Sequence, residues 1–225
     1  LNGSTHGKNY PRIGDIVAEI EQEGRAHYGP ENIADIYEDG KKEALVRSEK
    51  NISLFLGHRG IDVEMDGLNI TAIIAQNIVT GEKLCFETQL VADCTGDGCI
   101  GFLAGADYDL TKEGHMGRCN LWNVTEAKEP SSFPTCSWAL NLNDKPFPGR
   151  GDIPGSYGIT GINALGGWYW ESGFDHDPIQ NREYIRDWNF RAMYGAWDCL
   201  KNVDKVYPNH QLNWAAYISG PRESR

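Results

Sequence analysis

The chain has 225 residues and a formal net charge of −11, with 40% hydrophobic and 24% charged residues, which suits one or two globular domains with a sizeable core. The acidic residues are spread along the chain, which argues against a nucleic-acid partner or an anionic membrane surface, because both need concentrated Lys and Arg. No run of about 18 apolar residues occurs, so no membrane-spanning segment is predicted.

Two helices are predicted in the first 50 residues. Residues 13–27 place apolar side chains at helical spacing, and the break at Tyr28-Gly-Pro30 ends this helix. A second helix is predicted after Pro30. It continues past Gly40 through Ala44, with the charged side chains of residues 41–49 facing solvent.

From residue 51 the hydrophobic period changes to that of strands. Ile52, Leu54 and Leu56 stand at every second position, which predicts a strand. A strand meander is predicted next, from these segments in order: Asp62-Val-Glu-Met65, a turn at Asp66-Gly67, Asn69 to Val79, a hairpin turn at Thr80-Gly-Glu-Lys83, and Leu84 to Thr88. One more strand is predicted from Gln89 to Cys94.

The second half of the chain predicts fewer regular elements. Residues 126–165 are rich in Pro, Gly and Asn and indicate either long loops over a sheet or a distinct subdomain, and residues 166–170 are compatible with a strand. The strongest helix signal runs from Glu183 to Lys201, with one stripe formed by Ile185, Trp188, Ala192 and Ala196. Trp214 to Ile218 predicts a last strand.

The cysteines do not indicate a disulfide scaffold or a zinc site. None of the six forms a C-x-x-C pair, and no paired Cys and His spacing occurs. Cys94 and Cys99 flank a glycine turn and are predicted to be small buried side chains. His176 and Asp177 lack a visible third ligand, so no metal site is predicted.

The most informative segment is an apolar run followed by Asp93-Cys-Thr-Gly-Asp-Gly98 and a short helical stretch. Gly96, Gly98 and Gly101 spell G-x-G-x-x-G, the spacing of a dinucleotide-binding fingerprint. An alternative is a glycine turn that lets a strand pack against a helix. A third interpretation is a turn whose backbone lies against a cofactor.

Three observations weaken the pyrophosphate-binding interpretation. The carboxylate of Asp97 stands between the first two glycines, in a loop that should present N–H groups to negative charge. The helix that follows is only about two turns long. In addition, no strand ending in Asp or Glu comes about 20 residues later, where a ribose contact is expected.

The Asp93-Cys-Thr-Gly-Asp-Gly98 pattern resembles the second flavin motif of FAD enzymes with two dinucleotide-binding folds. Nearly the whole chain is similar to a bacterial group of FAD-dependent oxidoreductases of the glutathione-reductase-like class. The matching stretches include 104–106, 117–122, 170–173, 186–187, 212–214 and 220–225. The resemblance implies FAD as cofactor, with Thr95, Gly96, Asp97 and Gly98 as cofactor-binding residues.

The chain departs from this family at both ends. Such enzymes begin with a strand, G-x-G-x-x-G and a helix, and they continue beyond the Arg222-Glu-Ser-Arg225 stretch. We therefore expect an interior fragment whose partner is the remainder of the FAD domain. The fragment is expected to hold FAD poorly and to be inactive by itself.

Four residues are candidates for catalysis. Arg222 and Arg225 follow a predicted strand and would stabilise negative charge near the flavin or a substrate carboxylate; a surface ion-pair cluster is the alternative. His58 and His115 are flanked by glycines and would approach a ligand and transfer protons; the alternative is a structural role, which is the more common one for a lone His. Asp93 either meets ribityl hydroxyls or caps the turn.

The sequence thus predicts an α/β chain of mixed α+β type, an incomplete FAD-binding domain with a β-meander and a substrate-side region. Residues 1–110 would form the partial FAD domain with a helical insertion, and residues 111–225 the substrate side. The expected function is flavin-dependent oxidation or reduction of a small organic substrate. The alternatives are an inactive structural fragment and a carbohydrate-binding module with a platform of Trp168, Tyr169, Trp170 and Trp214.

Overall fold

The computed structural model describes residues 39–111, 114–165 and 170–223. The chain divides into two compact units, residues 1–57 and 58–225. The helix predicted at 13–27 lies outside the described residues. In the first unit, α1 spans Asp39–Ser48 and confirms the end of the second predicted helix. Arg47 Nε donates to Glu43 Oε1 at 2.6 Å, one turn earlier on the exposed face.

The strand predicted from Ile52 to Leu56 is wrong. These residues form no ladder, and the side chains of Ile52 and Leu56 are about half exposed. Alternating apolar residues become a strand only when a neighbouring strand accepts their backbone hydrogen bonds. The chain instead turns at Gly57, whose φ is +68°, and the first strand begins at the next residue.

The second unit opens with the predicted meander. Three antiparallel strands lie in the order β1-β2-β3, with the following bounds: β1 His58–Asp66, β2 Asn69–Asn77 and β3 Lys83–Glu87. Asp66 pairs with Asn69, so the β1–β2 turn contains only Gly67 and Leu68. The positive φ of Gly67, +60°, matches the twist of such a tight hairpin.

A short helix, α2 (Cys99–Leu103), packs on this sheet. Its buried residue Ile100 lies over Gly60 of β1, where an added Cβ would come within 2.7 Å of Ile100 Cδ1. Glycine at position 60 therefore permits the close approach of helix and sheet. The strand predicted at 89–94 is wrong, because no ladder partner lies beside it in the described part of the chain, and Leu90 is exposed.

Two small antiparallel sheets follow. One has the order β6-β4-β8, from β4 Arg118–Cys119, β6 Glu171–Ser172 and β8 Gly220–Pro221. The other pairs β5 Trp122–Glu126 with β7 His210–Ala215. The last predicted strand, Trp214 to Ile218, is therefore placed too late, because β7 ends at Ala215. Of the two alternatives for residues 126–165, the structure has the loops, with short 3₁₀ turns at Ser156–Gly158 and Gly161–Ala164.

The long helix α3 (Arg182–Asp198) confirms the strongest helix prediction and continues into a π-helical turn, Cys199–Val203. Its predicted apolar stripe is partly wrong: Trp188 is exposed, and the buried face instead includes Asn189. The core beneath α3 is aromatic. Trp122, Trp170 and Trp197 pack edge to face, and Trp122 and Trp170 both donate Nε1–H to the carbonyl of Leu165.

These helices and antiparallel sheets confirm the mixed α/β class predicted from the sequence. The free thiol of Cys94 is exposed and that of Cys99 is half-buried, which corrects the prediction that both are buried. Trp170 is 5% exposed and belongs to the core, so it cannot form part of a carbohydrate platform; Trp168 and Tyr169 lie outside the described residues. Within the described ranges, no helix combines the length and apolar character needed to cross a bilayer.

Candidate functional site

The bend at Thr95–Gly98 is organised by one carboxylate. Asp93 Oδ1 accepts from the Thr95 backbone N–H at 3.0 Å and from the Thr95 hydroxyl at 2.6 Å. Asp93 Oδ2 accepts from the N–H groups of Ile100 and Gly101 at 2.9 and 3.0 Å. These bonds, first among them the one from the Thr95 hydroxyl, lower the pKa of Asp93 to about 2. Asp93 therefore caps the turn, as one of its two predicted roles required.

The outer side of the bend is open. Gly96 has φ +86°, and nothing lies within 4 Å of a Cβ built on it. The N–H groups of Gly96 and Gly98 donate no hydrogen bond to any residue that the structure describes. Thr95 and Gly96 are exposed, whereas Asp97 and Gly98 are half-buried. The predicted cofactor-binding residues thus form one preorganised turn with an accessible backbone.

The side of the bend at Asp97 is linked to the β6-β4-β8 sheet by charge. Burial lowers the pKa of Arg118, and the Asp97 carboxylate partly opposes this lowering. Arg118 is 6% exposed. Its guanidinium donates to the Ser219 hydroxyl, the Ser219 carbonyl and the Pro178 carbonyl, each at 2.8 Å. The buried Arg118 guanidinium, whose hydrogen-bond acceptors are neutral, thus interacts electrostatically with Asp97 in the bend.

Arg222 lies next to this buried arginine, because Arg118 pairs with Pro221 across β4 and β8. Its Nη1 lies 3.2 Å from Glu171 Oε2, while Glu171 Oε1 accepts the Gly117 N–H at 2.9 Å. Glu171 thereby holds the Arg222 guanidinium against the sheet. The sequence offered two roles for Arg222, stabilising negative charge near a ligand or forming a surface ion pair. The structure shows an ion pair with Glu171. Arg225 lies outside the described residues.

A buried network of amides fixes the same sheet against α3. Asn189 Nδ2 donates to the Arg118 carbonyl at 2.8 Å and to Asn120 Oδ1 at 2.9 Å, and Ser172 Oγ donates to Asn189 Oδ1 at 2.6 Å. Asn120 Nδ2 donates to the Ala216 carbonyl at 2.7 Å. Asn120 and Asn189 are at most 2% exposed. Because these polar groups are bonded to one another, the network fixes one register for the strands.

The two candidate histidines lie on different elements. His58 is half-buried at the start of β1, opposite Asn77. His115 is 4% exposed and lines a cavity of about 500 Å³, three residues before Arg118. Arg222 and His115 therefore flank the β4 region, whereas His58 belongs to the meander.

Sequence reasoning missed Arg118, Glu171 and the Asn120–Asn189 pair. The one signal for Arg118 and Asn120 was the presence of polar residues inside an otherwise strand-like stretch, Gly117-Arg-Cys-Asn-Leu-Trp122. The neighbouring Cys119 is no nucleophile, because burial raises the pKa of its thiol to about 11. Among the described residues, no group of three or more His, Cys, Asp or Glu side chains is arranged to hold a metal ion.

The chain was compared with curated proteins, with solved structures and with family models. No curated protein and no solved structure matches the chain. The family model described as FAD dependent oxidoreductase matches residues 10–150, a range that includes the meander, the bend and strands β4 and β5. Since this range is more than half of the 225 residues, the chain belongs to the family of FAD dependent oxidoreductases, which use FAD as cofactor and act on small molecules.

Proposed function

We propose that the Thr95–Gly98 bend lies against FAD in an oxidoreductase of the glutathione-reductase-like, two-dinucleotide-fold class. Its substrate would be a small organic molecule. In this proposal residues 1–110 form part of the FAD-binding domain and residues 111–225 the substrate side, and the remainder of the FAD domain completes the site.

The observation that carries the proposal is the open face of the bend. A cofactor with many hydrogen-bond acceptors needs backbone N–H groups and free space beside them. The glycines at 96 and 98 supply the N–H groups, and Gly96 supplies the space. The Asp93 bonds already hold the turn in shape, so little ordering is required when a ligand binds. The residues present therefore fit the cofactor of the family.

When bound, FAD supplies the redox chemistry by exchanging a hydride equivalent with the substrate. The protein's own residues would orient the cofactor and polarise the substrate. Asp97 would accept hydrogen bonds from ribityl hydroxyls, with Arg118 offsetting its charge. Arg222, restrained by Glu171, would stabilise negative charge that develops nearby. His58 or His115 would transfer a proton.

Replacement of the bend carboxylate tests this proposal. Asp97→Leu is expected to lower the flavin-to-protein ratio at least about tenfold, as loss of a charge-assisted hydrogen bond implies. The measurement is the absorbance of FAD released from purified protein. Asp152→Leu, at an exposed loop aspartate, is the matched control and should retain wild-type flavin. Unchanged flavin content in Asp97→Leu would remove Asp97 from the site.

A further inference from the structure

A smaller cavity, of about 210 Å³, lies where the start of α3 meets the segment between β7 and β8. Three guanidinium groups line it, from Arg118, Arg182 and Arg186. Of the described residues in its wall, Glu183 alone carries a carboxylate. A cavity whose cationic groups outnumber its anionic ones favours a negatively charged ligand.

Two of the arginines are fixed in the wall by neighbours that also line the cavity. Arg118 donates from Nε to the Ser219 hydroxyl and from Nη2 to the Ser219 carbonyl, each at 2.8 Å. The Arg186 guanidinium lies over the ring of Tyr217, 4.3 Å from its centroid. Arg118 is 6% exposed, and the Arg186 side chain is 11% exposed. Both groups are therefore held in place and do not extend into solvent.

The charges of these two arginines are balanced differently. Arg186 has two carboxylate partners, Glu183 Oε2 at 2.6 Å and Asp187 Oδ1 at 2.7 Å. Arg118 donates to neutral oxygens only, and its Nη1 and Nη2, which carry two hydrogens each, make one hydrogen bond each to the described residues. A buried cation on the cavity wall thus retains two N–H groups for an acceptor.

Arg182 supplies a second charge that is only weakly balanced. Its Nε lies 3.9 Å from Glu183 Oε1, beyond hydrogen-bond distance, and the other oxygen of this carboxylate is paired with Arg186. Burial lowers the pKa of Arg118; Asp97 in the bend opposes this lowering, and the positive charge of Arg182 adds to it. Arg118 and Arg182 therefore repel each other, and an anion in the cavity would relieve that repulsion.

The first turn of α3 adds to the positive potential of this wall. No side chain caps the helix at Asn181, and the N–H groups of residues 182–184 donate to no acceptor in the described part of the chain. The N-terminus of a 17-residue helix carries a partial positive charge. It therefore favours the same kind of ligand as the two guanidiniums.

We propose that this cavity binds the carboxylate of a small organic acid. The carboxylate accepts hydrogen bonds from Arg118 and Arg182. Tyr217 and Ile218 contact the carbon chain of the acid. A monoanion is favoured over a phosphate dianion, because Glu183 already places one negative charge in the wall. That the acid is the substrate rests on the proposed function, whereas its binding does not depend on FAD.

Titration of the intact protein with butyrate, butyramide, n-butylammonium and pyrophosphate, followed through the NMR shift of the Ser219 amide, tests the proposal. Butyrate and butyramide have nearly the same size, but only butyrate is charged. It should bind at least about tenfold more tightly, the usual effect of one charge-assisted hydrogen bond. Equal affinity for these two compounds, tighter binding of n-butylammonium, or no butyrate binding would overturn the proposal. Tighter binding of pyrophosphate would also overturn it and would assign the cavity to the cofactor's phosphates.

Two variants with opposite expected effects locate the binding. Arg182→Gln, at a side chain that is 47% exposed, should weaken butyrate binding about tenfold. Glu183→Gln removes the competing negative charge but retains an oxygen for Arg186, so it should strengthen butyrate binding about threefold. The control Arg59→Gln, which removes an exposed charge from β1 outside the cavity, should leave the affinity unchanged.

Unchanged butyrate affinity in Arg182→Gln, or weaker binding in Glu183→Gln, contradicts the assignment. Flavin content, measured in the same preparations, reports on the FAD proposal separately. Butyrate binding by protein that lacks flavin would retain this site and remove the FAD proposal, whereas flavin retention without butyrate binding would do the reverse.

Discussion

The Thr95–Gly98 bend and the β6-β4-β8 sheet are both built around a charged residue, but the contacts have very different ranges. Asp93 bonds to groups two to eight residues away. Arg118 bonds to Pro178 and Ser219, 60 and 101 residues away. The bend is therefore encoded locally and forms with few other elements, whereas the sheet needs three distant segments to meet.

The two regions also satisfy their charges differently. The exposed Asp93 carboxylate is surrounded by N–H and O–H donors from its own turn, so its charge is stabilised with little burial. The buried Arg118 guanidinium gives up water for carbonyl and hydroxyl oxygens. Since a buried cation without such acceptors is costly, the stability of the sheet depends on every partner being present.

The largest expected loss of stability comes from disrupting the buried hydrogen-bond network between the β6-β4-β8 sheet and α3. Asn189→Leu leaves Asn120 Oδ1, the Ser172 hydroxyl and the Arg118 carbonyl without their partner. The free energy of unfolding should fall by about 3 kcal/mol, because buried polar groups lose their hydrogen bonds. Denaturant unfolding measures the loss.

Asn181→Leu is the matched control for this change. Asn181 is an exposed asparagine just before α3 and makes no side-chain capping bond there. Its replacement should change the unfolding free energy by less than about 0.5 kcal/mol. If Asn189→Leu behaves like the control, the network does not stabilise the sheet.

The same difference in range explains what the sequence could predict. The meander, its turns, α2 and α3 follow from local periodicity and turn residues, and they are observed. The strands at 52–56 and 89–94 were expected from apolar composition and are absent, because a strand also requires a partner that a local pattern cannot supply. Strands β4, β6 and β8 have two residues each, too few for any period to be recognised.

The residues of the candidate site show the same difference between local and long-range contacts. Thr95, Gly96, Asp97 and Gly98 were identified because their turn is contiguous in sequence. Arg118 and Glu171 were missed because only the pairing of β4 with β6 brings them together. The role of Trp188 was wrong for a related reason: helical spacing alone did not show that Asn189, a polar residue, faces the core.

Protonation of Asp93 is expected to destabilise the bend by an intermediate amount. Its pKa is lowered to about 2 in the folded chain from an ordinary value of 3.8. A lowered pKa means that the carboxylate stabilises the bend above about pH 4 and that this stabilisation disappears as the pH falls through about 2. Hydrogen exchange of the Ile100 and Gly101 amides should therefore lose protection over this window, beyond the intrinsic pH dependence of exchange.

Asp93→Asn provides the comparison for the pH experiment. The amide has one carbonyl oxygen where the carboxylate used two, so the Ile100 and Gly101 amides should be less protected already at neutral pH. Their remaining protection should not change between about pH 4 and 2. An identical acid transition in this variant would assign the loss of protection to another group.

The smallest effect is expected for the ion pair at the edge of the sheet. The side chains of Glu171 and Arg222 are 13% and 31% exposed and lie 3.2 Å apart. Glu171→Gln removes the charge but retains an oxygen for the Gly117 N–H, so the loss of stability should be about 0.5 to 1 kcal/mol. A double-mutant cycle with Arg222→Gln should give a coupling of the same size. A coupling near zero would mean that Glu171 acts through Gly117 alone, and that the orientation of Arg222 comes from β8 rather than from its carboxylate partner.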